Sequence, residues 1–238
     1  MSLWQRKRFW TDVTVERLAD GHTVLLDGRP LRTPAKAQLV VPTRALATYL
    51  ATEWAAVDER VVPERMPATR AANAAIDKVR GQKAEVAHLV ADYGDSDLIC
   101  YRAEAPAALA VREAVAWDPL IDWAAQRYGA RLEVRHGVMH TPQPAQALAA
   151  LRGPVDAMSS FELTAFHDLV ALSGSLVIGL AVIERYARDD DLWARSRIDE
   201  DWQAEQWGSD AEAQALADQR YRSFVDAVRF LRCLQQAD

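Results

Sequence analysis

Asp95 and Asp97 stand two residues apart, a spacing that many cation-binding loops use. A calcium or magnesium cage takes about six oxygens. Nothing adjacent supplies the remainder, so helix-cap or turn acceptors are the competing reading of the pair. His136 and His140 are four apart, which on a helix would aim both rings at one metal. Gly137 between them and Pro142 just beyond argue against a helix, and no cysteine or third histidine joins them. His22, His88 and His167 are isolated and read as surface or capping groups. Ser173-Gly174-Ser175 lacks the G-x-S-x-G turn that exposes a nucleophile, and its apolar flanks imply burial. Neither common form of glycine-rich phosphate loop occurs. The expectation is therefore no catalytic residue, no metal and no cofactor. An enzyme would have to gather its site from distant positions, such as a pocket lined by Trp117, Trp123 and the Asp95/Asp97 pair.

A different chemistry is concentrated near the C-terminal end. Asp199, Glu200, Asp201, Trp202, Gln203, Glu205 and Trp207 set two indoles among carboxylates and an amide. Aromatic anchors release free energy on burial in an interface, while charges beside them select the partner. These seven residues are the candidate partner-binding set. On a helix Ile198 and Trp202 share the buried face, while Asp199, Asp201 and Glu205 project elsewhere. Arg195 with Asp199, and Arg197 with Asp201, stand at ion-pair spacing, worth a few tenths of a kcal/mol each. A solvated helix face stitched by weak salt bridges is the alternative. Against it, Asp201 and Glu205 repel at the same spacing, and Trp207 lies next to a glycine stop.

The remaining sequence must position that segment. At 238 residues, half apolar and 26% charged, the chain has ordinary globular composition and can bury a substantial core. Its net charge of -6 gives no reason to expect nucleic acid. Cys100 and Cys233, far apart, fit a reducing compartment. The basic cluster Arg6-Lys7-Arg8 is followed by no apolar run, so neither a secretory signal nor a transit peptide is expected. The uncharged span Leu169 to Ile183 falls short of the roughly 20 residues that cross a bilayer. A soluble protein without membrane insertion is the expectation.

The fold class expected is α+β: a small N-terminal β-meander-plus-helix domain over 1–63, then a larger, mainly helical domain over 64–238. Val13 and Val15 alternate with polar residues, Asp20-Gly21 turns the chain into Val24-Leu25-Leu26, and Asp27-Gly28 turns it again toward Leu31-Arg32-Thr33. Gln38 to Val41 is the last short strand. Thr43 then caps a helix whose Leu46, Leu50 and Trp54 face the sheet. Further on, Asp118 and Pro119 read as the start of a helix carrying Ile121, Ala124, Ala125 and Tyr128 and ending at Gly129. Phe161 to Tyr186 reads as one apolar helix, with Ser175 and Gly179 admitting a close neighbour. Asp189-Asp190-Asp191 opens the helix that carries the acidic segment, and Ala211 to Leu234 closes the chain with Leu216, Phe224, Val228 and Leu231 inward.

Taken in order, several strings resemble a known family. They are Asp27-Gly28-Arg29-Pro30-Leu31-Arg32-Thr33-Pro34, Ala51-Thr52-Glu53-Trp54, Asp97-Leu98-Ile99-Cys100-Tyr101-Arg102, Trp117-Asp118-Pro119-Leu120-Ile121-Asp122-Trp123, Tyr128-Gly129, and the acidic segment ending Trp207-Gly208. The chain resembles the assembly chaperones of the F-type ATP synthase head that bind the free alpha subunit. The resemblance implies two domains, and a molecule that covers the surface alpha later gives to the beta subunit and is displaced on assembly, without catalysing a reaction. It implies a functional acid matching Asp199, with Asp199, Glu200 beside it, or both left open for the role. With no targeting peptide expected, a bacterial cytoplasmic member is favoured, though a processed mitochondrial matrix protein would look the same. A general holdase is the other chaperone reading.

Overall fold

The computed structural model describes residues 7–208 and 210–236, so Arg6 of the basic cluster lies outside the described residues. The chain groups into two compact units. One comprises Met1–Lys83, Ser159–Ala165 and Asp226–Asp238, and the other Ala84–Met158 and Phe166–Val225.

In the first unit β1 (Val13–Leu18) and β2 (Gly21–Leu26) form an antiparallel hairpin, with Val13 opposite Leu26 and Leu18 opposite Gly21. β3 (Arg29–Pro30) pairs with Leu25 and Leu26, while β4 (Val40–Val41) pairs with His22 and Thr23. These short pieces therefore share one edge of β2, and β4 returns to β2 instead of extending the meander. The expected third strand over 31–33 shrinks to a single bridge between Arg32 and Gln38. At Gly21 a Cβ would sit 2.4 Å from the Val41 carbonyl oxygen, so only glycine lets β4 lie alongside. Asp27 closes the hairpin, its Oδ1 accepting from the Thr11 and Asp12 amides at 3.0 and 2.8 Å.

α1 (Arg44–Ala55) follows, with the Thr43 hydroxyl accepting from the Leu46 amide as the cap. Leu46, Leu50 and Trp54 are buried, and Trp54 meets Trp10 edge to face at 5.3 Å. α2 (Pro67–Asp77) begins on a proline, and its free amides at Ala68 and Thr69 donate to the buried Glu53 carboxylate at 2.7 and 2.8 Å. That cap supplied from α1 ties α2 to the sheet, so this unit runs to residue 83 where sequence reading set the division at 63.

The second unit is mainly helical. α3 (Lys83–Ala91) leads through 3-10 turns to β5 (Tyr101–Arg102), then α4 (Ala107–Tyr128). β6 (Arg135–His136) pairs parallel with β5 and is followed by α5 (Ala145–Asp156). Then come α6 (Ser160–Ser173), which starts in the first unit, α7 (Leu176–Ile183), α8 (Asp189–Arg195), α9 (Ile198–Trp207) and α10 (Ala211–Leu234), which ends in the first unit.

Four expectations are corrected here. Pro119 does not start a helix but lies inside α4, and Asp118 pairs with Arg102 instead of capping. The carbonyl of Val115, left without the amide a proline lacks, belongs to an exposed residue that water can reach. The run from Phe161 is two helices, because Gly174 adopts φ +71° and the Ser175 hydroxyl caps α7 through the Ile178 amide. Gly179 does admit a close neighbour: a Cβ there would meet Phe166 and Val170 of α6 at 2.8 Å. The triple aspartate opens α8 alone; Ser196 and Arg197 interrupt the helix before α9. Phe224, Val228 and Leu231 are buried as expected, but Leu216 is 58% exposed.

Candidate partner-binding face

α9 puts three acids, Asp199, Glu200 and Asp201, in its first turn, where they favour the positive end of the helix dipole. Gly208 at φ +88° stops it. Ile198 packs inward and Trp202 is half-buried. The end of α8 just before α9 is held to α4 by the Trp117 indole, which donates to the Arg195 carbonyl at 2.7 Å, and by Arg195, which donates to the Ala116 carbonyl at 3.1 Å.

The candidate residues divide between faces. Glu200, Gln203, Ala204 and Trp207 recur at i, i+3, i+4 and i+7 and are all exposed, Trp207 at 79%. Asp201 is exposed as well. Glu205 is exposed but tied to α4, where Arg112 Nη1 donates to both its oxygens. The expected pairs Arg195–Asp199 and Arg197–Asp201 give way to others. The helix break at Ser196 moves Arg195 off the register, and Arg197 pairs with Glu200 at 2.5 Å.

Asp199 is half-buried and turned toward α4. Its Oδ1 is buried and receives no amide or hydroxyl donor. The group it meets is the carboxyl of Glu113, a residue only 2% exposed. Glu113 Oε2 accepts from the Ala103 amide at 2.8 Å. Burial first, and then the adjoining Asp199 carboxyl, push the Glu113 carboxyl up to about 7 against the pull of the Ala103 amide and Arg102. Sequence reading missed Glu113. The signal was present: 113, 117, 120, 121 and 124 form the buried stripe of α4, so an acid stands at a core position.

The other candidates do not form a site. Asp97 is fully buried and accepts from the Ile99 and Val177 amides at 3.2 and 3.0 Å, which makes it a turn and helix acceptor. Asp95 accepts from the Gln143 amide and faces His140 at 3.2 Å. Trp117 lies in the core and Trp123 packs on Tyr128 and Tyr186. His136 lies in β6 and His140 beyond Gly137 at φ +77°, off any helix. His22, expected at the surface, is buried in β2. Both serines of the Ser173–Ser175 run are buried. Among the described residues no helix is long and apolar enough to cross a membrane.

Comparison with known proteins places this geometry. The solved Atp12 of Paracoccus denitrificans is 49% identical, with a TM-score of 0.92 over 96% of this chain and 98% of that one. An aspartate-to-lysine mutant of the same protein superposes with a TM-score of 0.93 at 47% identity, over 98% of this chain and 100% of that one. The mitochondrial protein atp12 of Schizosaccharomyces pombe is 23% identical over 96% of this chain and 83% of its own length. The family model described as ATP12 chaperone protein matches residues 7–125. The chain therefore belongs to the ATP12 chaperone protein family, whose members are chaperones of ATP synthase assembly and not enzymes.

Proposed function

We propose that this protein binds the unassembled alpha subunit of the F-type ATP synthase, covers the surface that alpha will give to its neighbour, and yields it during assembly of the catalytic head. The observation that carries the reading is Trp207, 79% exposed on the same helix face as Glu200 and Gln203. A large ring held in water beside carboxylates is poor material for a free surface and a ready anchor for an apolar partner with basic flanks. Asp201 completes the acidic rim, while Asp199 and Trp202 hold the helix from its inner side and Glu205 braces it to α4. Of the two acids left open by the sequence, Glu200 is thus the one that faces a partner and Asp199 the one that positions it. An affinity concentrated in one or two anchors suits a cover that must be given up. The bacterial cytoplasm, or the mitochondrial matrix in a eukaryote, is the compartment where this work would be done.

The test is a pull-down of isolated alpha subunit by wild type and by Glu200→Lys with Trp207→Ala. Both positions are exposed, so folding should be unaffected and capture should fall at least tenfold. Equal capture by the variant removes α9 from the interface. Protection of unrelated aggregating proteins by the wild type would point to a general holdase.

A further inference from the structure

We propose that Glu113 is a positioning residue for partner capture: its carboxyl shares one proton with that of Asp199 across the α4–α9 contact, and capture weakens when that proton leaves. This rests on the reading of α9 as the partner-binding helix.

The geometry leaves little choice. Glu113 is buried on the inner stripe of α4, and one of its oxygens is taken by the Ala103 amide. Its carboxyl meets that of Asp199, whose buried Oδ1 has no hydrogen-bond donor. Two carboxyl groups can form a hydrogen bond only when one carries a proton, and two bare carboxylates in such contact repel. The charged groups acting on Glu113 are Asp199 from α9 and Arg102 from β5. Arg102 cannot turn fully to it, because its guanidinium donates to the carbonyls of Ile99 and Tyr101 and to Asp118. Arg112, the preceding residue, is occupied by Glu205.

Burial above all raises the Glu113 carboxyl to about 7. A raised acid holds its proton more tightly in the closed state than in an opened one. The contact is therefore strongest below the ordinary glutamate range and is lost as pH climbs through about 7.

Hydrogen exchange of the 198–207 amides in the full chain, corrected for the intrinsic base-catalysed rate, tests this at pH 6 and 8. Wild type should lose about tenfold in protection between the two. Glu113→Gln should lose none, because its amide donates to Asp199 at every pH while its carbonyl still accepts from Ala103. Asp199→Asn leaves Glu113 buried and titratable but gives its carboxylate an amide donor, so its loss should be smaller than that of wild type; it serves if Glu113→Gln fails to fold. Capture of isolated alpha subunit should weaken from pH 6 to 8 for wild type, weaken less for Asp199→Asn and stay level for Glu113→Gln. The same pH response in all three proteins overturns the shared proton. Exchange that responds while wild-type capture does not overturns its link to partner binding. If Glu200→Lys with Trp207→Ala still captures normally, the partner-binding reading fails and the exchange result stands by itself.

Discussion

Arg112 on α4 donates from one nitrogen to both carboxylate oxygens of Glu205 on α9, at 2.9 and 2.7 Å. This fixes the roll of α9 about its axis and with it the direction in which Trp207 and Glu200 point. Both side chains are substantially exposed, so the pair contributes orientation more than stability. Arg112→Ala should lower stability by less than about 1 kcal/mol in chemical denaturation. A loss of several kcal/mol would show that Arg112 supports more than this pair.

Trp54 is a core residue. It is buried between the sheet and α1, meets Trp10 edge to face, and receives the Trp10 indole proton on its backbone carbonyl. Trp54→Ala should cost about 3–5 kcal/mol, read from the shift of the denaturant midpoint. A midpoint within error of wild type would mean that the cavity collapses completely.

Gly179 sits where α7 approaches α6, and an added methyl would overlap Phe166 and Val170 at 2.8 Å. Gly179→Ala should destabilise by about 1–3 kcal/mol despite the better helix propensity of alanine. A stabilised protein would mean that the two helices slide apart at no cost.

Asp97 and Glu113 are both raised by burial, to about 6 and about 7. Each keeps its proton more readily folded than unfolded, so each stabilises most at low pH and loses that contribution between the ordinary carboxylate range and its own folded value. The unfolding free energy should fall as pH rises from 5 to 8; a midpoint that rises over this range would contradict the burial of these acids. Asp97→Ala should also cost about 2–6 kcal/mol, because the buried amides of Ile99 and Val177 each lose an acceptor worth about 1–3 kcal/mol.

The readable parts of this chain were those whose signal is local. The Val13/Val15 alternation, the Asp20-Gly21 turn, the Thr43 cap and the Gly129 stop all act within a few residues and stand where expected. The misread parts depend on distant partners. Pro119 looked like a helix start because its ring forbids one amide, yet the open carbonyl it leaves faces water. Two long helices were drawn where the chain breaks, since a single left-handed Gly174 and the Ser196–Arg197 step carry little weight in an apolar or charged run. The acidic segment stood out by composition, but which of its acids turn inward did not. Asp199 and Glu200 are neighbours in sequence, and only the contact with Glu113 tells them apart.

The Thr43 hydroxyl donates to the carbonyl of Cys233, a residue 190 positions later, and the Arg229 guanidinium lies 4.1 Å above the Tyr49 ring. Helix α1 is thus closed on one flank by residues made about 190 positions after its cap. During synthesis α1 waits with that flank open, and a product stalled before α10 would leave it uncovered to whatever else is nascent nearby.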